Sequence, residues 1–274
     1  MVNLKSMSFQ NKQEQAFTLA EVLITLGIIG VVAALTLPSL INRTKNKELH
    51  TAFLKTYSEL NQVAQKYYAD NEISVTEANI DSHSNLSSQI MTEYYKGATK
   101  LTNGGMGTKD EEGNYKAFYS IRTLNGHKYS GGENSQGSNS SFICDSSPFY
   151  LTASGAVIIF NDNATGEDQT GPVVCVDVNG QKAPNRYGMD YFLFAFTKDG
   201  KVVPMGDTNQ TSIGTVAANG SAGNFFKIGS HNCLNNVDDI SKNTSCAYYA
   251  LSNTHPNKTG KDYWNDFLGE VSFR

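Results

Sequence analysis

The chain has 274 residues, enough for one large domain or two small ones with a buried core. Charged residues make up 18% of the sequence and the formal net charge is −4, which argues against a general nucleic-acid binder, since such proteins are normally basic. The four cysteines exclude a disulfide-dense mini-protein but leave room for two bridges. This composition is typical of a folded, exported protein.

The N-terminus combines a polar leader with a long apolar segment. Residues 1–16 are polar, and the 25 residues of 17–41 contain a single charge, Glu21. As a helix this segment is about 37 Å long, enough to cross a hydrocarbon core of about 30 Å. A secretory signal places its apolar region before a small-residue cleavage site, whereas here Ala16 precedes the apolar run. The sequence therefore predicts a retained membrane helix rather than a removed signal. A plain signal anchor and a buried core helix are the alternatives.

This arrangement resembles the prepilin signal of type IV pilins and type II secretion pseudopilins. The matching residues are Ala16, the string Phe17-Thr18-Leu19-Ala20-Glu21, the apolar run 22–37 and Pro38. The resemblance implies that a prepilin peptidase cuts between Ala16 and Phe17 and that the new amino terminus at Phe17 is methylated. It also implies assembly roles for Glu21, the fifth residue after the cut, and for Pro38, the twenty-second. Members of the family usually have Gly before the cut, where this chain has Ala16.

The same resemblance implies a structural role and not an enzymatic one. The expected partners are the prepilin peptidase, other pilin or pseudopilin subunits, the membrane assembly platform and, before assembly, membrane lipid. The expected location is the inner (cytoplasmic) membrane, crossed once with the head outside the cytoplasm, and afterwards a periplasmic or extracellular filament. A count of positive charges alone predicts the opposite orientation, because Arg43, Lys45 and Lys47 follow the span.

The chain is predicted to have four parts: a leader over 1–16, a transmembrane or filament-core helix over 17–41, the amphipathic half of the same helix over 42–70, and a soluble head over 71–274. Apolar residues recur every three or four positions in the amphipathic half. Since Pro38 removes one helical hydrogen bond, we expect a bend or an unwound stretch between Gly27 and Pro38.

The head is predicted to begin with a short helix and to end in a sheet. The helix is expected over 85–96, followed by a loop over 98–143 with at most one short strand. Strand signals occupy residues 149–151, 156–160, 173–178, 191–197 and 201–203. They predict an α+β, pilin-like fold in which the long helix packs on an antiparallel sheet of about four strands. Another short helix is expected near 247–251.

The cysteines are best interpreted as the two disulfides of an exported protein. Cys233 and Cys246 are expected to close a loop near the C-terminus, and Cys144 and Cys175 form the second pair. An alternative zinc site would use His231, Cys233, Cys246 and His255. Their spacing lacks the C-x2-4-C knuckle that is typical of structural zinc sites. Free thiols are the other alternative.

A loop between two predicted strands collects oxygen-bearing side chains. Asp177, Asn179 and Asp190 offer the hard oxygen ligands that calcium prefers, although the loop lacks the EF-hand pattern. Some pseudopilins carry calcium in a loop at this place, so calcium is the candidate cofactor. The alternative is a set of Asx turns that need no ion.

No sequence motif indicates catalysis. The histidines form no HExxH pair, and there is no Gly-x-Ser-x-Gly elbow, P-loop or GxGxxG. The resemblance to pilins and pseudopilins instead implies a filament subunit, either a minor pilin or a large pseudopilin. The rival hypothesis is an adhesin or DNA-uptake receptor at a filament tip. The negative net charge disfavours DNA, although Lys96, Lys100 and Lys109 could form a local basic patch.

Overall fold

The computed structural model describes residues 18–81, 86–101, 108–109, 115–116, 121–127, 144, 146–161, 172–206, 233–237 and 242–271. The chain divides into two compact units, Met1–Thr44 and Lys45–Arg274.

Helix α1 covers Leu19–Asn71 and confirms the predicted long helix. In the first unit its side chains are almost all exposed, including Leu19 at 79% and Leu35 at 76%. The helix continues through Pro38, so the expected unwound stretch is not present within α1. A proline removes only one backbone hydrogen bond, and the apolar helix formers on both sides maintain the α-conformation.

In the second unit α1 buries one stripe of side chains, as the periodicity predicted. The buried residues of this helix are Asn46, Leu49, Phe53, Thr56, Leu60, Val63, Ala64 and Tyr67. Their spacing of three or four places them on one face of the helix. The stripe therefore marks the side of α1 that packs into the core of the head.

Two short helices follow α1. Helix α2 covers Val75–Asp81 and was not predicted, although the pattern Ser74-x-x-Glu77 at its start is a capping box. Helix α3 covers Leu86–Gln89 and continues as a π-helical turn over Ile90–Tyr94. The predicted helix over 85–96 is thus present but ends earlier, and its first residue lies outside the described part of the chain.

In the described part of the chain the main sheet has six antiparallel strands, where about four were predicted. The strands are Thr99–Lys100 for β1, Ser146–Leu151 for β4, Val157–Asn161 for β5, Val173–Asp177 for β6, Tyr191–Phe196 for β7 and Val202–Pro204 for β8. They lie side by side in the order β1–β4–β5–β6–β7–β8. The first strand is only two residues long and pairs with β4, a tertiary contact that no local pattern shows. A separate antiparallel pair joins β2, Thr108–Lys109, to β3, Tyr115–Lys116. Together with β1, these strands contradict the prediction of at most one short strand in residues 98–143.

The C-terminal segment covers the same core. Helix α4, Cys246–Ser252, confirms the helix expected near 247–251. It is followed by a π-helical turn over Tyr263–Phe267 and a 3₁₀ turn over Leu268–Glu270. Asn46 of α1 donates its Nδ2 to the Trp264 carbonyl at 2.6 Å, and the His50 ring stacks on the Trp264 ring at 4.8 Å. These contacts attach the C-terminal segment to the helix.

Phe53 is the centre of this packing. Its ring lies 4.6 Å from that of Phe192, 5.6 Å from that of Phe194 and 5.7 Å from that of Trp264, and it is fully buried. Phe53 therefore joins α1 to β7 and to the C-terminal segment. Its neighbour Leu54 points outward and is 42% exposed.

We predict that Phe53→Ala lowers the free energy of unfolding of the head by about 3–5 kcal/mol, because it leaves a cavity that the aromatic neighbours cannot fill. Leu54→Ala is the matched control and should change it by less than about 0.5 kcal/mol. Denaturant titration of the full chain in detergent measures both, with the single tryptophan, Trp264, as the fluorescent probe. Equal losses in the two variants would contradict the assigned packing.

Candidate functional site

The N-terminus of α1 is closed by a reciprocal pair of hydrogen bonds. The backbone N and the Oγ1 of Thr18 both donate to Glu21 Oε2 at 2.8 Å, and the backbone N of Glu21 donates to Thr18 Oγ1 at 3.2 Å. This is a capping box, which satisfies backbone N–H groups that the first helical turn leaves unpaired. Ala16 and Phe17, the residues expected to flank the cut, lie outside the described part of the chain.

An apolar helical surface follows this cap. From Leu19 to Ile41 the large apolar side chains are exposed, and an 18-residue window of the helix has none of its residues buried. By length and composition α1 can cross a membrane. A core helix of a soluble protein would bury one face, whereas this surface has no protein cover within the described residues.

Residues 11–37 match the family model described as the prokaryotic N-terminal methylation motif. This motif is the signature of type IV pilins and pseudopilins, and it confirms the resemblance seen in the sequence. Proteins that carry it are generally structural. No curated protein and no solved structure matches the chain at a significant level.

The four cysteines form two buried disulfides in the pairs favoured from the sequence. Cys144 and Cys175 bond across 5.9 Å between their Cα atoms and fix residue 144 to strand β6. Cys233 and Cys246 bond across 4.8 Å and attach residue 233 to the start of α4. Both thiols of the alternative zinc site are thus used in a bridge, which contradicts that alternative.

The two histidines of that zinc alternative have other positions. His255 is buried, with Nε2 3.2 Å from Glu270 Oε1, while its Nδ1 accepts the backbone N–H of Asn257 at 3.0 Å. Because both ring nitrogens are engaged in this way, His255 has no nitrogen directed at the cysteines. His231 lies outside the described residues.

The acidic loop brings two carboxyl groups to the same end of the sheet. Asp177 is the last residue of β6 and Asp190 directly precedes β7, and the backbone N of Val178 donates to the Asp190 carbonyl at 2.8 Å. Both side chains are fully buried. The loop between β6 and β7 therefore begins and ends at a pair of buried acids.

Backbone N–H groups of the loop hydrogen-bond to these carboxylates. Asp190 Oδ1 accepts from Arg186 N at 2.6 Å and Asp190 Oδ2 from Asn185 N at 2.8 Å. Asp177 Oδ1 accepts from Asn179 N at 3.3 Å, the pattern of an Asx turn. These are the contacts expected from the turn alternative. Within the described residues, Asn179 Oδ1 is buried and has no hydrogen-bond partner.

The donors suit calcium in type but are few. Calcium takes six to eight oxygens, and the loop offers three side chains, Asp177, Asn179 and Asp190. The described part of the chain contains no group of three or more His, Cys, Asp or Glu side chains placed to hold a metal. Backbone carbonyls or water must therefore complete any calcium shell, and the calcium site stays a prediction.

Burial governs the ionisation of this pair. Burial, and then the charge of Asp190, raises the pKa of Asp177 well above its usual value. Burial also raises the pKa of Asp190 to about 7, against the opposing effect of the hydrogen bonds from Arg186 and Asn185. Because a second buried negative charge near the first is costly, the raised pKa values favour protonation of one carboxyl of the pair near neutral pH.

This ionisation makes the stability of the head depend on pH. Since the folded-state pKa of Asp190 lies above its usual value, the stabilisation linked to its protonation is complete at about pH 4 and is lost as the pH rises through about 7. We predict that the melting temperature, measured in EDTA, falls between pH 5 and pH 8, and that Asp190→Asn reduces this fall.

The matched control for this measurement is Asp199→Asn. Asp199 is exposed and its pKa is lowered, chiefly by the hydroxyl of Thr197, so the substitution should leave the slope between pH 5 and pH 8 unchanged. A melting temperature that is flat over this range in the unaltered chain would contradict the raised pKa of Asp190.

Two of the three lysines that could form a basic patch for DNA have described side chains. Lys96 and Lys100 are both exposed. Lys109 lies on β2, and its side chain is outside the described part of the chain. The DNA-uptake alternative therefore stays untested.

Proposed function

We propose that the chain is a structural subunit of a type IV pilus or type II secretion filament, polymerised through its N-terminal helix. The observation that carries the proposal is the methylation motif over residues 11–37, which continues into an apolar helical surface without protein cover in the described residues. At least 258 residues follow a cut after Ala16, which favours a minor pilin or a large pseudopilin.

The motif suggests the order of the processing and assembly steps. A prepilin peptidase cuts between Ala16 and Phe17, and the new amine of Phe17 is methylated. Before assembly α1 lies in the inner membrane among lipids, with the head outside the cytoplasm. The assembly platform then transfers the helix into a periplasmic or extracellular filament, where the helices of other subunits cover its apolar surface.

Glu21 is the one charge in this apolar surface and needs a partner there. A carboxylate costs about 2.5–3.5 kcal/mol at the centre of a membrane helix and less near its end. The free amine of a cut Phe17 stays protonated near neutral pH, because its reference pKa is about 7.7–8.0. We infer that Glu21 of one subunit pairs with this amine on a neighbour. Each helix offers one acid and one amine, so the pairing also sets the axial register.

The capping box of α1 offers a second role for Glu21, and one substitution separates the two. In the described residues Glu21 binds Thr18. Glutamine also forms a capping box, so Glu21→Gln keeps this cap while it removes the charge. Glu21→Ala removes the charge and the two hydrogen bonds that the carboxylate accepts, while the backbone N of residue 21 can still donate to Thr18 Oγ1.

We predict that Glu21→Ala and Glu21→Gln are both cut at Phe17 and both inserted in the membrane, yet are at least about tenfold depleted from sheared filaments, because the loss of one desolvated ion pair exceeds about 1.4 kcal/mol. Immunoblots of the sheared and membrane fractions measure this. Normal incorporation of Glu21→Gln would show that the charge is not required, and normal incorporation of both variants would contradict any assembly role for Glu21.

We also propose that Asp177, Asn179 and Asp190 hold calcium when the ion is available. The support is the buried carboxyl pair and the buried Asn179 Oδ1 that has no partner among the described residues. The cation would neutralise the two acids and join the two ends of the β6–β7 loop.

Calcium is expected to raise the melting temperature of the full chain at pH 8, with a rise that grows with the logarithm of its concentration. Asp177→Asn should abolish the rise, and magnesium is the control cation, because it favours a smaller octahedral site. The absence of a calcium effect in the unaltered chain would leave the Asx turns as the role of this loop.

A further inference from the structure

A groove of about 480 Å³ lies within the unit Lys45–Arg274 and is built from three segments of the chain. Helix α1 contributes Lys45 and Glu48, the β4–β5 turn contributes Ser154, and the β6–β7 loop contributes Lys182 and Pro184. The other lining side chains are mostly small or apolar. The volume is within the range of sites that bind small molecules or single side chains.

The charge of the groove favours an acidic occupant. Among the described residues neither Lys45 nor Lys182 forms an ion pair. Glu48 is the one acid among the described residues of the lining, so their summed formal charge is positive. An occupant that carries carboxylates beside an apolar group would match both the lysines and the apolar wall.

The shape of the groove is fixed by close backbone packing. Gly180 has a φ of +72°, and a Cβ at this position would lie 2.6 Å from the carbonyl oxygen of Gly155. The β6–β7 loop and the β4–β5 turn therefore approach more closely than a side chain would permit. A preformed site of this kind loses little conformational entropy when it is occupied.

A complementary surface lies at the other end of the same helical stretch. Helix α1 ends at Asn71, and the turn to α2 exposes Asp70, Glu72 and Ile73, the last at 42%. Among the described residues Asp70 and Glu72 form no ion pair. Two exposed acids thus precede an exposed apolar side chain in the same turn.

Backbone hydrogen bonds hold this acidic turn on both sides. Glu72 has a φ of +60°, and its N–H donates to the Tyr68 carbonyl at 2.9 Å, which ends α1. The backbone N of Ser74 donates to Glu77 Oε2 at 2.7 Å and begins α2. The backbone of the turn is therefore tied to the helices that precede and follow it.

The two surfaces cannot meet within one chain. Lys45 and Asn71 are 26 residues apart on a continuous helix, which separates them by about 39 Å along its axis. An acidic turn that enters the groove must therefore come from another molecule.

We propose that the acidic turn, Asp70 to Ile73, of one copy docks in the groove of a second copy. The carboxylates of Asp70 and Glu72 face Lys45 and Lys182, and Ile73 packs on the apolar wall. Because the two surfaces differ, the contact is head-to-tail and can repeat along a filament. The inference rests on the proposed function and deepens it by naming a contact between heads in addition to that between helices.

Charge reversal tests the contact in the full chain. Lys182→Glu alone and Glu72→Lys alone should each lower the amount of the chain in sheared filaments by about threefold to tenfold, and the double variant should restore it to within about twofold. Lys47→Glu is the matched control, because Lys47 is exposed on α1 but does not line the groove, and it should retain the unaltered level.

Cysteine cross-linking provides a second measurement. A chain with Ile73→Cys and Ala183→Cys should give disulfide-linked dimers and larger species from filaments on non-reducing gels. The pair Leu54→Cys and Ala183→Cys places the first cysteine on another exposed part of α1 and should not give a ladder.

The outcomes separate the possible failures. If the unaltered chain is absent from filaments in both the sheared and the periplasmic fractions, both the proposed function and this contact are overturned. If it is present but the double variant is not restored and no ladder forms, only the contact is overturned. Loss of bound anionic phospholipid in Lys182→Glu, without rescue by Glu72→Lys, would assign the groove to a lipid headgroup instead.

Discussion

The apolar surface of helix α1 between Leu19 and Ile41 is the constraint on which the rest of the account depends. Its side chains have no protein cover in the described part of the chain, so they must be removed from water by lipid or by other helices. The methylation motif, residues 11–37, includes most of the residues that form this surface. A helix that lies first in lipid and then among the helices of neighbouring subunits is kept out of water in both places. This is the physical basis of the proposal that a filament subunit is made as a membrane protein.

Within the head, α1 has an amphipathic surface and buries one face against the rest of the same chain. Phe53 and Tyr67 lie on the stripe that packs inward, and Leu54 remains outside. The C-terminal segment adds to this core through Trp264, whose carbonyl accepts a hydrogen bond from Asn46. One helix thus combines a fully apolar surface with an amphipathic one. The change in its sequence pattern near residue 42 is the reason that the two halves need different surroundings.

The parts of the fold that have a strong local pattern could be predicted from the sequence. The length of α1, the strands from β5 to β8 and helix α4 follow from apolar periodicity and turn residues. Strand β1 could not be predicted, because two residues carry no period and its pairing with β4 is a long-range contact. The capping box at Ser74 and Glu77 was a readable signal for α2 that the periodicity did not reveal.

The candidate sites, like the elements of the fold, could be predicted only where their residues are close together in sequence. The motif around Glu21 is local in sequence and was recognised from it, whereas the burial of Asp177 and Asp190 depends on how β6 and β7 pair. Spacing alone predicted that these acids share a loop. It could not show that backbone N–H groups already bind them or that burial raises their pKa. The groove beside Lys45 and Lys182 likewise exists only in the folded head.

The most direct test of the account is mass spectrometry of the amino terminus of the chain isolated from the organism that produces it. The account predicts a mature chain that begins with N-methylated Phe17. An intact Met1, or a terminus located after the apolar segment, would show that the chain is not processed as a prepilin and would contradict its assignment to a filament.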